Sequence, residues 1–246
     1  MDPSRSDTVT IARRFCGPPG CGNGGYTAGS LATVLLHDRD ASAVDVMLRR
    51  PPPLDTAMEV RRTGDTAALS HDGHVVAEAR AAELTSGPVD GVSLAEAREA
   101  ESAYPGLVRH PFPTCFTCGP QREPGDALRL SPGRIAGART ACTWTPDAWL
   151  ASAAEPSYVR REFVWASLDC PGGWTTDIEG RPMVLGRITA EIDAPAEVGE
   201  RHVIMGRLLR EDGRKAFTAT TLYDSDGRVV ARAEHVWITV DPAAFS

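Results

Sequence analysis

The sequence predicts an α+β chain in which one unit, a helix followed by a run of antiparallel strands, occurs twice. Three observations carry that prediction. Helical and alternating apolar spacing follow one another in the same order in each half. The stretches Asp72-Gly73-His74-Val75-Val76-Ala77-Glu78-Ala79 and Asp226-Gly227-Arg228-Val229-Val230-Ala231-Arg232-Ala233 share six of eight residues, and each opens with an Asp-Gly turn before a β-branched run, a hairpin signature. The length of 246 residues is enough for two such units.

In chain order, residues 9–15 read as a short strand and 16–25 as a Gly/Pro-rich turn. Tyr26, Ala28, Leu31, Ala32, Val34 and Leu35 then give the apolar surface of a helix ending near His37. Residues 44–50 alternate as a strand, which Pro51-Pro52-Pro53 ends because proline cannot donate to a ladder. Strands follow at 58–62, 66–70 and 75–84. Ser93 with Glu96 forms a capping box that opens a short helix over 93–103. Residues 104–113 read as a linker, with the first repeat at 1–104, the link at 105–113 and the second repeat at 114–246. The second unit reads as strands at 128–130 and 139–145, a helix at 159–168, and strands at 184–192, 202–209, 215–223 and 229–240.

Composition narrows the function classes. The hydrophobic fraction of 42% and charged fraction of 24% are globular values. A net charge of −7 with no basic stripe excludes a nucleic-acid footprint. No apolar run is long enough to span a bilayer, and MDPSRSDTVT lacks the apolar core of a signal peptide, so a cytoplasmic protein is expected. Six cysteines (16, 21, 115, 118, 142 and 170) then read as thiols or metal ligands rather than disulfides. Of the histidines, His37, His71 and His74 read as solvated, and His202 and His235 lie in strands.

The most informative stretch is EFVWASLDCPGGWTT, residues 162–176. It begins as an apolar helix through Phe163, Val164, Ala166 and Leu168, then places an acid, Asp169, before Cys170-Pro171-Gly172-Gly173. A carboxylate among such neighbours has a raised pKa unless it finds a partner. An acid facing water, or capping the turn at Pro171, is the plain alternative.

Cys115-Phe116-Thr117-Cys118-Gly119 with Leu128 downstream resembles the CFxCG…GL opening of many small hotdog thioesterases, although Ala127 stands where that motif has glycine. Trp165-Ala166-Ser167-Leu168-Asp169 with Gly173-Trp174 resembles the central helix of the phenylacetate-pathway and 4-hydroxybenzoyl-CoA thioesterases. Asn23-Gly24-Gly25-Tyr26 resembles the HGG or NGG turn that opens the same helix. Together these imply a double hotdog: two fused repeats whose long antiparallel sheet wraps around central helices. In that family the acid at the position of Asp169 is catalytic and follows the turn's first residue by nine. Nine residues before Asp169 stands Arg160, and nine after Asn23 stands Ala32. Each half thus holds one part of the usual site, which implies one working site per chain.

The resemblance implies hydrolysis of an acyl-CoA or carrier-protein thioester. Asp169 would activate water or attack directly. The N–H groups of Gly24 and Gly25 at a helix N-terminus would meet the oxyanion, since those donors lack intrahelical partners and glycine admits close approach. Asn23 would cap the helix or bond the thioester carbonyl. Ser30 and Thr33 could add a polar contact. Two alternatives keep the fold. A hydratase or dehydratase would need a histidine at the Asn23 or Arg160 position, and a non-catalytic acyl-binding protein would need no acid. Cys16, Cys21, Cys115 and Cys118 could form a four-cysteine zinc site, but the CFxCG resemblance already accounts for the second pair, so no metal or cofactor is assigned. A homodimer is implied by analogy alone.

Overall fold

The computed structural model describes residues 7–36 and 43–241; the expected helix end at His37 lies outside the described residues. The first half runs β1 (Asp7–Thr10), α1 (Gly24–Leu36), β2 (Ala43–Leu48), β3 (Ala57–Thr63), β4 (Thr66–His71) and β5 (His74–Ala82). After the short helix α2 (Leu94–Ala100) come β6 (Gly133–Ile135), β7 (Arg139–Trp144), α3 (Arg161–Gly173), β8 (Met183–Ile192), β9 (His202–Asp212), β10 (Lys215–Tyr223) and β11 (Val229–Thr239). Most elements fall where apolar periodicity places them. Ser93 and Glu96 form the expected capping box on α2.

The eleven strands of the described residues join one sheet in the order β1-β3-β4-β5-β2-β8-β11-β10-β9-β7-β6. Every adjacent pair is antiparallel. The order reads outward in the same way from a central seam between β2 and β8, where Ala43 pairs with Glu191 and Met47 with Arg187. The similar segments 72–79 and 226–233 occupy β5 and β11, the strands next to the seam on either side. Ahead of β5, Asp72 and Gly73 take φ of 49° and 73°, the left-handed pair that a tight hairpin demands and that Asp-Gly supplies cheaply. At the seam the buried Asp45 carboxylate accepts from Arg187, Arg80 and Thr189, tying strands of both halves to one charge.

The sheet curls around α1 and α3, which cross antiparallel at a stripe of small residues. A Cβ on Gly25 would stand 2.6 Å from Asp169 Cβ, and one on Gly29 2.6 Å from Trp165 Cβ. Only glycine lets the two helices come this close. Phe15, Tyr26, Phe116 and Phe163 stack around one end of the crossing.

Three sequence expectations need correction. Residues 128–130 are not a strand: Arg129 has φ of 52°, and Leu128 and Leu130 donate instead to the carbonyls of Phe116 and Thr117. The strand of that region is β6. Residues 9–15 form a strand only to Thr10, and Arg13–Phe15 make a 3-10 turn. The helix expected to stop at Leu168 continues through Pro171 to Gly173. Proline removes one ladder donor, and side chains from the sheet compensate at neighbouring carbonyls, Thr220 Oγ1 donating to Leu168 O at 3.0 Å and Thr140 Oγ1 to Pro171 O at 2.7 Å. Gly172 and Gly173 let this last turn press onto Thr218 and Trp237, where a Cβ would come within 2.6 and 2.9 Å. The expected linker is also firmly packed, with Tyr104 2% exposed and its hydroxyl donating to Cys118 O.

His235 and His202, both in strands as expected, are buried. Burial lowers His235 to about 4 from its usual 6.5, outweighing the raising effects of Thr218, Glu234 and the Leu168 backbone; Thr218 Oγ1 lies 3.3 Å from Nδ1. The unfolded chain therefore binds this proton first, and stability is lost as pH falls from 6.5 toward 4. Asp169, raised by burial, acts in the opposite sense, so the measurement is a difference. The stability of the wild type relative to His235→Gln is expected to fall by about 3 kcal/mol over that window. Denaturant melts at stepped pH test this, and a constant difference would refute it.

Candidate active site

Asn23 closes the turn that opens α1. Its backbone N–H is held by Phe15 O, its Oδ1 accepts from the Tyr26 N–H at 2.9 Å, and its carbonyl accepts from Thr27 N at 3.0 Å. It is therefore the helix N-cap, and its Nδ2 is left to face away from the helix. Ser30 and Thr33 donate back to Tyr26 O and Gly29 O within α1, so neither supplies a site contact.

Asp169 arrives from α3, in the other half of the chain, because the antiparallel crossing sets the last turns of α3 against the first turn of α1. The residue is 2% exposed. Its Oδ2 accepts from Gly25 N at 2.9 Å and from Asn23 Nδ2 at 3.1 Å, and its Oδ1 has no partner among the described residues. Burial pushes the carboxyl up to about 7, against the lowering effect of the two hydrogen bonds. The structure thus brings Asn23, Gly25 and Asp169 into direct contact. It corrects one role: the Gly25 N–H, expected to be an oxyanion donor, is taken by the carboxylate. The Gly24 N–H makes no hydrogen bond among the described residues.

Asn23, Gly24 and Asp169 line a cavity of about 310 Å³. Its remaining wall is mainly apolar, with Leu48, Phe112, Trp174, Met183, Leu185 and Trp237 prominent, and Arg49 and Arg50 also contribute. The residues come from the first turn, the β2 end, the segment 110–118, the end of α3, and β8 with β11. A mostly apolar cleft with a few converging polar groups is the usual form of a small-molecule site.

Cys115, Cys118 and Cys170 meet on the same wall, their sulfurs all within 4.8 Å of one another. Cys118 and Cys170 hydrogen-bond Cys115 and hold its thiol well below the usual range. Their own thiols are pushed well above it, Cys118 chiefly by burial and Cys170 chiefly by its bond to Cys115. The four-cysteine set weighed from sequence is not assembled: Cys16 instead donates to Thr114 O and lies beside Arg122. His110 joins the cluster, its Nε2 3.4 Å from Cys118 Sγ. Sequence reasoning passed over it, although its place five residues before Cys115 was a usable signal.

No protein-family model and no curated protein matches the chain. Solved structures do. The tesB protein of Mycobacterium avium subspecies paratuberculosis superposes with a TM-score of 0.63 at 10% identity, over 95% of this chain and 92% of that one. A candidate thioesterase of Novosphingobium aromaticivorans gives 0.60 at 15% identity over 96% and 98%. A protein of unknown function with a hot dog fold from Alicyclobacillus acidocaldarius gives 0.58 at 13% identity over 98% and 96%. The chain is a double hotdog. The seam between β2 and β8 joins the two hotdogs edge to edge, and α1 and α3 are their two central helices.

This double hotdog is asymmetric at its centre. The two helices are both thirteen residues long and start one residue after Asn23 and Arg160. At the place corresponding to Asp169, α1 carries the buried Ala32. At the place corresponding to Asn23, Arg160 makes no side-chain cap and instead lies over the Phe163 ring. The acid and the Asn-Gly-Gly turn meet at one end of the helix pair, and the other end holds neither. No helix of the described residues is long and apolar enough to cross a membrane.

Proposed function

We propose that this double hotdog hydrolyses acyl thioesters carried on CoA or a carrier protein. The observation that carries the reading is the Asp169 carboxylate, buried at the N-terminus of the opposite repeat's helix on the wall of an apolar cavity, with Oδ1 free to accept from a water. Asn23 and Gly25 hold Oδ2 and so fix the direction of the other oxygen. The acyl chain lies along the apolar wall, and the thioester carbonyl oxygen faces the Gly24 N–H, where the helix dipole favours developing negative charge.

Water, deprotonated by Asp169 as its oxygen attacks, forms the new C–O bond. The tetrahedral oxyanion collapses, the C–S bond breaks, and Asp169 returns the proton to the leaving thiolate. The products are a carboxylic acid and a free thiol. Arg49 and Arg50 place positive charge near the cavity, suited to the phosphates of the carrier arm. The thioesterases among the structural neighbours support the reaction class.

A thiol-release screen across acyl-CoA chain lengths tests the proposal. Release well above the uncatalysed rate for at least one acyl length is expected. Acyl-CoA that raises the melting temperature without releasing thiol would instead make the protein an acyl-binding module.

A further inference from the structure

The three cysteines beside Asp169 do more than fill space. Buried cysteine ordinarily packs as a small apolar residue, and Cys142 does so here, alone within β7. Cys115, Cys118 and Cys170 differ in spacing, surroundings and access. Their sulfurs lie within 4.8 Å of one another, and Cys115 Sγ stands 3.8 Å from Cys170 Sγ. Two sulfurs bound tetrahedrally at about 2.3 Å from one zinc ion are themselves about 3.8 Å apart. Cys115 and Cys118 have the two-residue spacing of a zinc knuckle, and α3 delivers the third thiol.

The surroundings suit thiolates. Trp174 Nε1 donates to Cys118 Sγ at 3.4 Å and Asn23 Nδ2 to Cys115 Sγ at 3.8 Å. His110 Nδ1 accepts from the Phe112 N–H, so in the neutral ring the proton sits on Nε2, directed at Cys118 Sγ. Three N–H donors thus converge on two sulfurs, the outer-shell pattern that stabilises metal-bound thiolate. All three cysteines line the cavity, which gives an ion a way in.

We infer that Cys115, Cys118 and Cys170 form a three-thiolate site for zinc or a similar soft divalent cation, with its fourth position served from the cavity. Loading releases the three thiol protons to solvent and forms three metal–sulfur bonds. It fastens the segment 110–118 to the end of α3, next to Asp169. The inference stands apart from the hydrolase reading, and its test does not use activity.

Full-length protein, reduced and stripped with a chelator, is titrated with cobalt(II) alone and then with zinc(II). One equivalent of cobalt per chain should produce thiolate-to-cobalt charge transfer with tetrahedral ligand-field bands, and zinc should displace it. Cys115→Ser or Cys170→Ser should weaken cobalt binding at least tenfold, while Cys16→Ser and Cys142→Ser leave it unchanged, with far-UV circular dichroism checking the fold. Should a cluster variant fail to fold, the wild type decides: zinc should protect three of the six thiols from alkylation. Absence of charge transfer at stoichiometric cobalt, unchanged alkylation, binding that depends on Cys16, or an internal disulfide in place of metal would each overturn the inference.

Discussion

Asp169→Asn is expected to lower thioester turnover at least a hundredfold while making the protein more stable. The two effects have one cause. Asparagine keeps an oxygen for the Gly25 N–H and Asn23 Nδ2, so the helix crossing is unchanged. What it loses is the capacity to take a proton from water, worth two to four orders of magnitude in general-base catalysis. What it sheds is the burial cost that lifts the carboxyl from 3.8 to about 7. At neutral pH that shift corresponds to about 2–4 kcal/mol of stability given up for the charged form. The measurement pairs steady-state kinetics on the best substrate with denaturant melts of both proteins. Unchanged turnover would remove Asp169 from the chemistry, and unchanged stability would mean that the carboxylate is better solvated than its burial indicates.

Gly25→Ala should be strongly damaging, because its methyl group enters the crossing of the two central helices beside the carboxylate. The added Cβ would stand 2.6 Å from Asp169 Cβ and 2.8 Å from Trp165 O, and a helix backbone cannot swing aside as a side-chain tip can. The helices must separate, at a cost of about 2–3 kcal/mol, against the small gain alanine brings to helix propensity. Separation also draws the Gly25 N–H and Asn23 from the carboxylate, so turnover should drop about tenfold or more in the fraction that remains folded. Gly87→Ala is the control, because nothing lies within 4 Å of its Cβ. Equal melting temperatures for the two variants would show that the helix crossing tolerates a wider gap.

Much of the sheet was legible because alternating apolar residues and Asp-Gly turns are local signals. The strand at residues 215–223 matches its expected bounds, and its neighbours differ by a few residues at their ends. The failures share a cause: the deciding interaction lies far away in sequence. Pro171 reads as a helix stop because the threonines that serve nearby carbonyls come from β7 and β10. Leu128 and Leu130 read as strand because nothing local reveals a loop at 116–117 waiting for their N–H groups. At the site, residue spacing and the family resemblance singled out Asn23, Gly24, Gly25 and Asp169. That Asp169 would lie against the first turn of the other half, and occupy the Gly25 N–H, depends on the antiparallel helix crossing. The cysteine grouping failed in the same way: Cys16 has the right chemistry, but only Cys170 is brought within reach.

The continuous seam between β2 and β8 has a consequence for how the site is put together. An acid from one repeat and a helix-capping turn from the other could equally be supplied by two separate chains, and such a site would come apart on dilution. Here one polypeptide carries both, bound through a shared sheet and a buried carboxylate, so assembly is an internal step of folding and follows no mass action. The fusion also frees the opposite end of the helix pair from having to match. Two identical subunits would repeat every residue of the site twice, whereas this chain keeps Ala32 and Arg160 at one end and Asn23 and Asp169 at the other.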